Sequence, residues 1–142
     1  MSREIKFRGM DLQGRWFHGN LAILLKDLRS TGNKAGHYIS NAAGAPFAYA
    51  VRPETVGQYT GLKDRNGVDV YEGDIAVGEH ATYSIRWDDS KALFKARVEK
   101  TNTVLIRYNA FPLWQYLQDD GNCRFEIVGN IYNNPELIRE EQ

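Results

Sequence analysis

Residues 53–74 read PETVGQYTGLKDRNGVDVYEGD, and this stretch decides the fold. Glycines stand at 57, 61, 67 and 73, with β-branched and aromatic residues between them. Extended runs broken by residues that tolerate turns are the pattern of short β-strands. The strongest reversal is Lys63-Asp64-Arg65-Asn66-Gly67, because Asn-Gly readily takes the positive φ values that a tight hairpin demands. Gly73-Asp74 breaks the next run. Asp64 and Asp74 are expected to accept hydrogen bonds from nearby backbone N–H groups and so fix these bends. Asp64, Asn66, Gly67, Gly73 and Asp74 are therefore read as structural turn residues.

Working outward, Ile5, Phe7 and residues 16–25 are separated by Asp11-Leu12-Gln13-Gly14, which predicts an opening hairpin. From 27 to 46 the composition shifts to Gly, Ser, Asn and Ala, an irregular excursion with room for one short strand at the HYIS island, residues 37–40. Phe47, Tyr49 and Val51 alternate with small or polar residues and predict a strand that Pro53 ends. Tyr83, Ile85 and Trp87 alternate with Ser84, Arg86 and Asp88; Phe94, Ala96 and Val98 oppose Lys95, Arg97 and Glu99. Further strands are predicted over 103–108 and 125–132. Helix is scarce. Pro112 opens one short candidate, with Leu113, Trp114 and Leu117 on one face, and Asn134-Pro135 opens another over 134–141, with Asn134 as its cap. Many short strands with turn signals between them indicate a mainly β, antiparallel barrel or sandwich. No 20–50-residue repeat recurs.

A chain of 142 residues is most simply one domain, long enough to bury roughly 70% of its unfolded surface without staples. Cys123 is the single cysteine, so no intramolecular disulfide forms, and a partly buried thiol is expected. The N-terminal MSREIKFRGM carries charges with no apolar run behind them, unlike a secretory signal. The longest apolar run nearby, residues 21–25, is far short of the ~20 residues of a membrane span. The expectation is a cytoplasmic protein with no membrane role. Formal net charge is zero, which argues against a dedicated nucleic-acid binder. The charge is uneven: residues 1–52 carry eight Lys/Arg against three Asp/Glu, and residues 53–142 carry ten against fifteen.

Motifs that carry chemistry are missing. His18, His37 and His80 lie 19 and 43 residues apart, which matches no compact metal site, so no metal and no cofactor are expected. There is no GxxxxGK[ST] loop and no Gly-x-Ser-x-Gly elbow. Glu72 and Asp74 flank Gly73 and are read as turn chemistry before acid–base chemistry. If an exposed groove exists, Tyr59, Tyr71 and Trp87 are the rings to line it. The alternation of Trp87 with Ile85 favours the core for that ring, whereas Tyr71 adjoins Gly73 on the wetter side. Lys91, Lys95, Arg97 and Lys100 decorate one hairpin, so Lys95 and Arg97 join the candidate interaction surface.

Three blocks, IKFRGMD near the N-terminus, ETVGQYTGLKDRNGVDVYEGDI in the middle and IVGNIYNNPELI near the C-terminus, resemble the YopX family in the family's order. Ala76 departs from it, standing where a bulkier β-branched residue would look natural after Gly-Asp-Ile. The resemblance implies a mainly β protein with an SH3-type barrel as its core, over roughly 53–132, of the kind encoded by bacteriophages and prophages. It supplies no catalytic or ligand residues to carry over. The expected role is a non-enzymatic protein-interaction module whose partner is a host or phage protein or another copy of the chain, as a homo-oligomer. Weak single-stranded nucleic-acid binding is the alternative. A small enzyme is the remote one and would need His18 or His80 to meet Asp74 or Glu72.

Overall fold

The computed structural model describes residues 3–41, 48–103 and 110–139. Among them the chain is mainly β, with antiparallel pairing throughout and three single-turn 3-10 segments. It divides into two compact units, Met1–Tyr59 and Thr60–Gln142, with one strand running across the boundary.

In the first unit, β1 (Phe7–Met10) and β2 (Trp16–Leu24) form the predicted opening hairpin. Its turn is held by Asp11, whose Oδ1 accepts the N–H groups of Gln13 and Arg15, both at 2.9 Å. Arg15 Nε donates to Asp11 Oδ2 at 2.8 Å. The order continues through β3 (Gly36–Ser40) and β4 (Tyr49–Val51) on one side of β2. On the other side, β1 pairs with the start of β5 (Gly57–Lys63). The short strand foreseen near 37–40 is therefore present, and residues 27–35 are irregular as expected, closed by an isolated bridge between Leu28 and Asn33. Phe47 and the rest of 42–47 lie outside the described residues. Gly9 allows a close approach, since a Cβ there would fall 2.8 Å from Val51 Cγ2. Thr55, in the 3-10 turn Pro53–Thr55, is fully buried; its hydroxyl accepts the Met10 N–H at 2.9 Å and donates to Arg52 O at 2.6 Å.

In the second unit, β6 (Asp69–Tyr71) is the hydrogen-bonded neighbour of β5. A meander of β7 (Asp74–Val77), β8 (Ala81–Asp88) and β9 (Leu93–Thr101) follows. β10 (Ala110–Pro112) adds to β9, and β11 (Glu126–Asn130) returns to β7. Among the described residues these pairings run from an edge at β10 to an edge at β11 without closing on themselves. The predicted strand over 103–108 falls mainly on residues outside the described set. Tyr83, Ile85, Ala96, Leu113 and Phe125 centre the apolar core. Two bulges shape the sheet. Glu99 is the extra residue opposite Thr82–Tyr83, and Val128 the extra residue opposite Ile75–Ala76.

Three expectations are corrected here. Trp87 shares the core face with Ile85 but stands near the end of β8, past the edge of the core. It is 42% exposed, edge-on to Phe94 at 5.0 Å. The candidate helix after Pro112 is one 3-10 turn, Leu113–Tyr116. With three residues per turn, Leu113 and Tyr116 fall on one side and are buried, while Trp114 is 62% exposed. The C-terminal helix is likewise a single 3-10 turn, Pro135–Leu137, and Asn134 does not cap it. Asn134 Oδ1 instead turns back to accept the Asn130 N–H at 3.2 Å. Residues 140–142 lie outside the described set. Among the described residues no helix is long and apolar enough to cross a membrane.

Candidate functional site

Asp64 and Asp74 accept backbone N–H groups as read, and Asp64 does more than expected. Its buried carboxylate accepts the N–H groups of Asn66 (2.8 Å) and Val68 (2.9 Å) through Oδ1. Through Oδ2 it also accepts the Ile127 N–H at 2.9 Å, pinning the β5–β6 turn to β11. Only Gly67 of the Asn-Gly pair takes positive φ, at +81°. Gly67 donates to Asp64 O, so the reversal is a four-residue turn ending on a left-handed glycine, not a two-residue hairpin loop. Asp74 Oδ2 accepts the Tyr71 N–H at 2.8 Å, and Gly73 takes φ +93°.

The surface candidates fare differently. Tyr59 and Tyr71 are 6% and 4% exposed, so they present no ring to a partner, and the wetter reading of Tyr71 is corrected. On the β8–β9 hairpin, Lys95 pairs with Asp88 at 3.4 Å and Arg97 with Glu99 at 2.8 Å. The Glu99 bulge turns its carboxylate to accept from the buried Ser84 hydroxyl at 2.6 Å, with Arg86 Nη2 3.8 Å away. Burial, then the nearby Arg97 charge, draws the Arg86 guanidinium below its ordinary value, while Glu99, Tyr132 and Glu72 counter it. Lys95, Arg97 and Arg86 of this hairpin thus stand beside acids.

A cleft of about 560 Å³ opens instead elsewhere in the second unit. Tyr83, Tyr116 and Phe125 line it, with Arg124, Arg65 and His80 around them. Its geometry begins with a tight loop in which Gln118 N donates to Asn122 O at 2.8 Å and Arg124 N to Tyr116 O at 2.9 Å. That pairing sets the Arg124 guanidinium 4.9 Å from the centre of the Tyr116 ring, with Nη1 donating to Gln115 O at 3.2 Å. Tyr83 meets Tyr116 edge-to-face at 5.1 Å, and the two side chains hydrogen-bond to each other. Gly78, in the β7–β8 turn, gives Tyr83 its space: a Cβ there would lie 3.1 Å from the ring. Arg65 is engaged by Glu126 at 2.7 Å, whereas no carboxylate pairs with Arg124 among the described residues.

The reactive groups near this cleft are quiet. Burial first, then the neighbouring Tyr83, pushes the Tyr116 phenol well above its ordinary value, so it stays protonated. Cys123 is fully buried beneath the loop; burial, with the Asp64 charge adding to it, pushes its thiol up to about 11. His80 faces Glu79 at 3.8 Å, and Asp74 is committed to its turn. Among the described residues no three His, Cys, Asp or Glu side chains gather to hold a metal ion.

Reading residue by residue passed over Tyr116, Arg124 and Phe125. The signal was the turn cluster Asp119-Asp120-Gly121-Asn122, whose reversal sets residue 116 across from 124.

The chain is similar in fold to the crystal structure of protein EF1440 from Enterococcus faecalis. The TM-score is 0.53 at 23% sequence identity, over 97% of this chain and 100% of that one. Among curated proteins, none matches it. The family model described as YopX protein matches residues 6–139, so the chain belongs to the YopX family.

Proposed function

We propose that this protein is a non-enzymatic interaction module that binds a protein partner through the cleft of its second unit, as an accessory protein of a phage or prophage in the bacterial cytoplasm. The observation that carries the reading is a cleft of about 560 Å³, within the range of small-ligand sites, whose surrounding reactive groups are held inert. The phenol of Tyr116 stays protonated, the Cys123 thiol is buried, and the turn carboxylates are bound to backbone amides. Such a surface offers the exposed Arg124 guanidinium for contact and no poised nucleophile with a base beside it. The meander β7–β8–β9, followed by one 3-10 turn and a strand that returns to the far edge, supports an SH3-type core for this unit. Self-association through sheet edges would extend the same role.

The test is selection of binders from a random displayed-peptide library on the intact protein, with chemical-shift mapping of the enriched peptides. The expected result is a recurrent sequence pattern that shifts the Tyr83, Tyr116 and Arg124 resonances. Enrichment no better than on an unrelated β-protein of this size would refute it, as would turnover of a bound peptide.

A further inference from the structure

The chemistry of the cleft says what kind of peptide it would take; this step rests on the interaction reading above. Its lining carries three basic side chains, Arg65, His80 and Arg124, against one carboxylate, Glu79. Glu79 is turned to His80 and its side chain is 88% exposed, so it lends little charge to the interior. Arg65 already has Glu126. Arg124 lies over the Tyr116 ring with one donor used by a backbone carbonyl, leaving other N–H groups of the fork unused. The cleft therefore gathers more donors than acceptors.

We infer that the cleft receives an acidic peptide, with an Asp or Glu carboxylate taken by the Arg124 fork. Two features argue for a short peptide over a nucleic-acid backbone. Lys95 and Arg97 on the β8–β9 hairpin are held by Asp88 and Glu99, which interrupts any track for successive phosphates there. Residues 53–142 carry fifteen acids against ten Lys/Arg, a balance that disfavours a long polyanion and tolerates a single carboxylate.

The test uses an array of acetylated, amidated pentapeptides with a central Asp or Glu and varied apolar neighbours. Each is matched by its Asn or Gln counterpart, and inorganic phosphate serves as a separate probe. Acidic members should bind about tenfold or more tightly than their amide counterparts, shifting the ring protons of Tyr83 and Tyr116. Arg124→Glu should abolish that preference. Arg124→Lys should retain part of it, since an ammonium keeps the charge but not the planar fork. Because Arg124 is exposed, unchanged amide spectra outside the cleft will show that both variants fold. Equal binding of acidic and amide peptides at the cleft would overturn the inference and leave the interaction module standing. Displacement by phosphate at the same concentration as peptide would overturn the peptide in favour of a free oxyanion. Absence of any peptide binding, acidic or neutral, would overturn the module itself.

Discussion

Removing the Asp64 carboxylate should loosen the second unit more than any other single polar change. Asp64 is fully buried and accepts three backbone N–H groups, two within its own turn and one from Ile127, 63 residues further along the chain. A hydrogen bond to a charged acceptor contributes about 1.5–3 kcal/mol, but the two turn amides regain some water once freed. Asp64→Ala should then cost about 3–5 kcal/mol, a large share of the stability of a small domain. Asp64→Asn separates the components. Its one remaining oxygen can serve Asn66 and Val68, but its NH₂ group then faces the Ile127 N–H, donor against donor. The expected cost is about 1.5–3 kcal/mol, concentrated on the β11 side. Urea unfolding in a Trp16→Phe background lets fluorescence report on Trp87 and Trp114, both in the second unit. Hydrogen exchange locates the damage: in Asp64→Asn the Ile127 amide should exchange much faster while Asn66 and Val68 change little. An Asp64→Ala loss below about 1 kcal/mol, or an Ile127 amide unchanged in Asp64→Asn, would refute the claim that this carboxylate joins turn to strand.

Four further outcomes follow from single sites. Thr55→Val keeps the shape but leaves the Met10 N–H and Arg52 carbonyl without the buried hydroxyl, so the first unit should lose about 1–3 kcal/mol by urea unfolding read from Trp16. Ala92 holds φ +53°, a left-handed conformation that strains a residue bearing Cβ, so Ala92→Gly should raise stability by about 0.5–1 kcal/mol by urea unfolding read from Trp87 and Trp114 in the Trp16→Phe background. Cys123, buried with its thiol pushed up to about 11, should resist iodoacetamide at pH 8 until denaturant is added; rapid labelling of the native protein would contradict its burial. The Ser90 hydroxyl, with Lys95 helping against desolvation, holds the Asp88 carboxyl below 3.8. A depressed folded pKa contributes stability above the unfolded pKa that is lost as pH falls through the folded one. The Asp88 carboxyl should therefore titrate by NMR below 3.8 and return towards it in Ser90→Ala.

Local chemistry was legible wherever neighbours in sequence decide the structure. Asp64, Gly67, Gly73 and Asp74 act within a few residues of themselves, so their turns could be read directly. The strands over 83–88 and 92–99 were likewise plain, because period-two alternation writes burial into the order of residues. Reading failed where the outcome depends on how far a core extends. Tyr59 and Tyr71 looked available, yet both are buried, while Trp87 sits beyond the core's edge although it shares the face of Ile85. Alternation assigns a face and says nothing about where along the strand that face runs out of neighbours. Helix period failed for a related reason. Leu113, Trp114 and Leu117 match an α-helical stripe, but a single 3-10 turn brings Leu113 together with Tyr116 instead.

The use of carboxylates connects the fold to the cleft. Short strands need many reversals, and each reversal leaves amide N–H groups that the ladder does not satisfy. This chain meets that need repeatedly with acids: Asp11 for Gln13 and Arg15, Asp64 for Asn66 and Val68, Asp74 for Tyr71, Asp88 for Ser90, and Asp120 for Asn122. Two of these acids also hold a cation close to their turn, Asp11 with Arg15 and Asp88 with Lys95. Asp120 differs: it lies in the loop that carries Arg124 yet turns its carboxylate to the Asn122 amide. Four of the fifteen acids of residues 53–142 serve turns in this way, and none of the described carboxylates pairs with Arg124. Replacing Asp120 with Asn keeps the acceptor for that amide and removes one negative charge from the loop, so it should tighten an acidic peptide modestly while leaving the loop intact. A loop that loosened, or an affinity that fell, would mean that Asp120 positions Arg124 and that turn chemistry and recognition are not separable here.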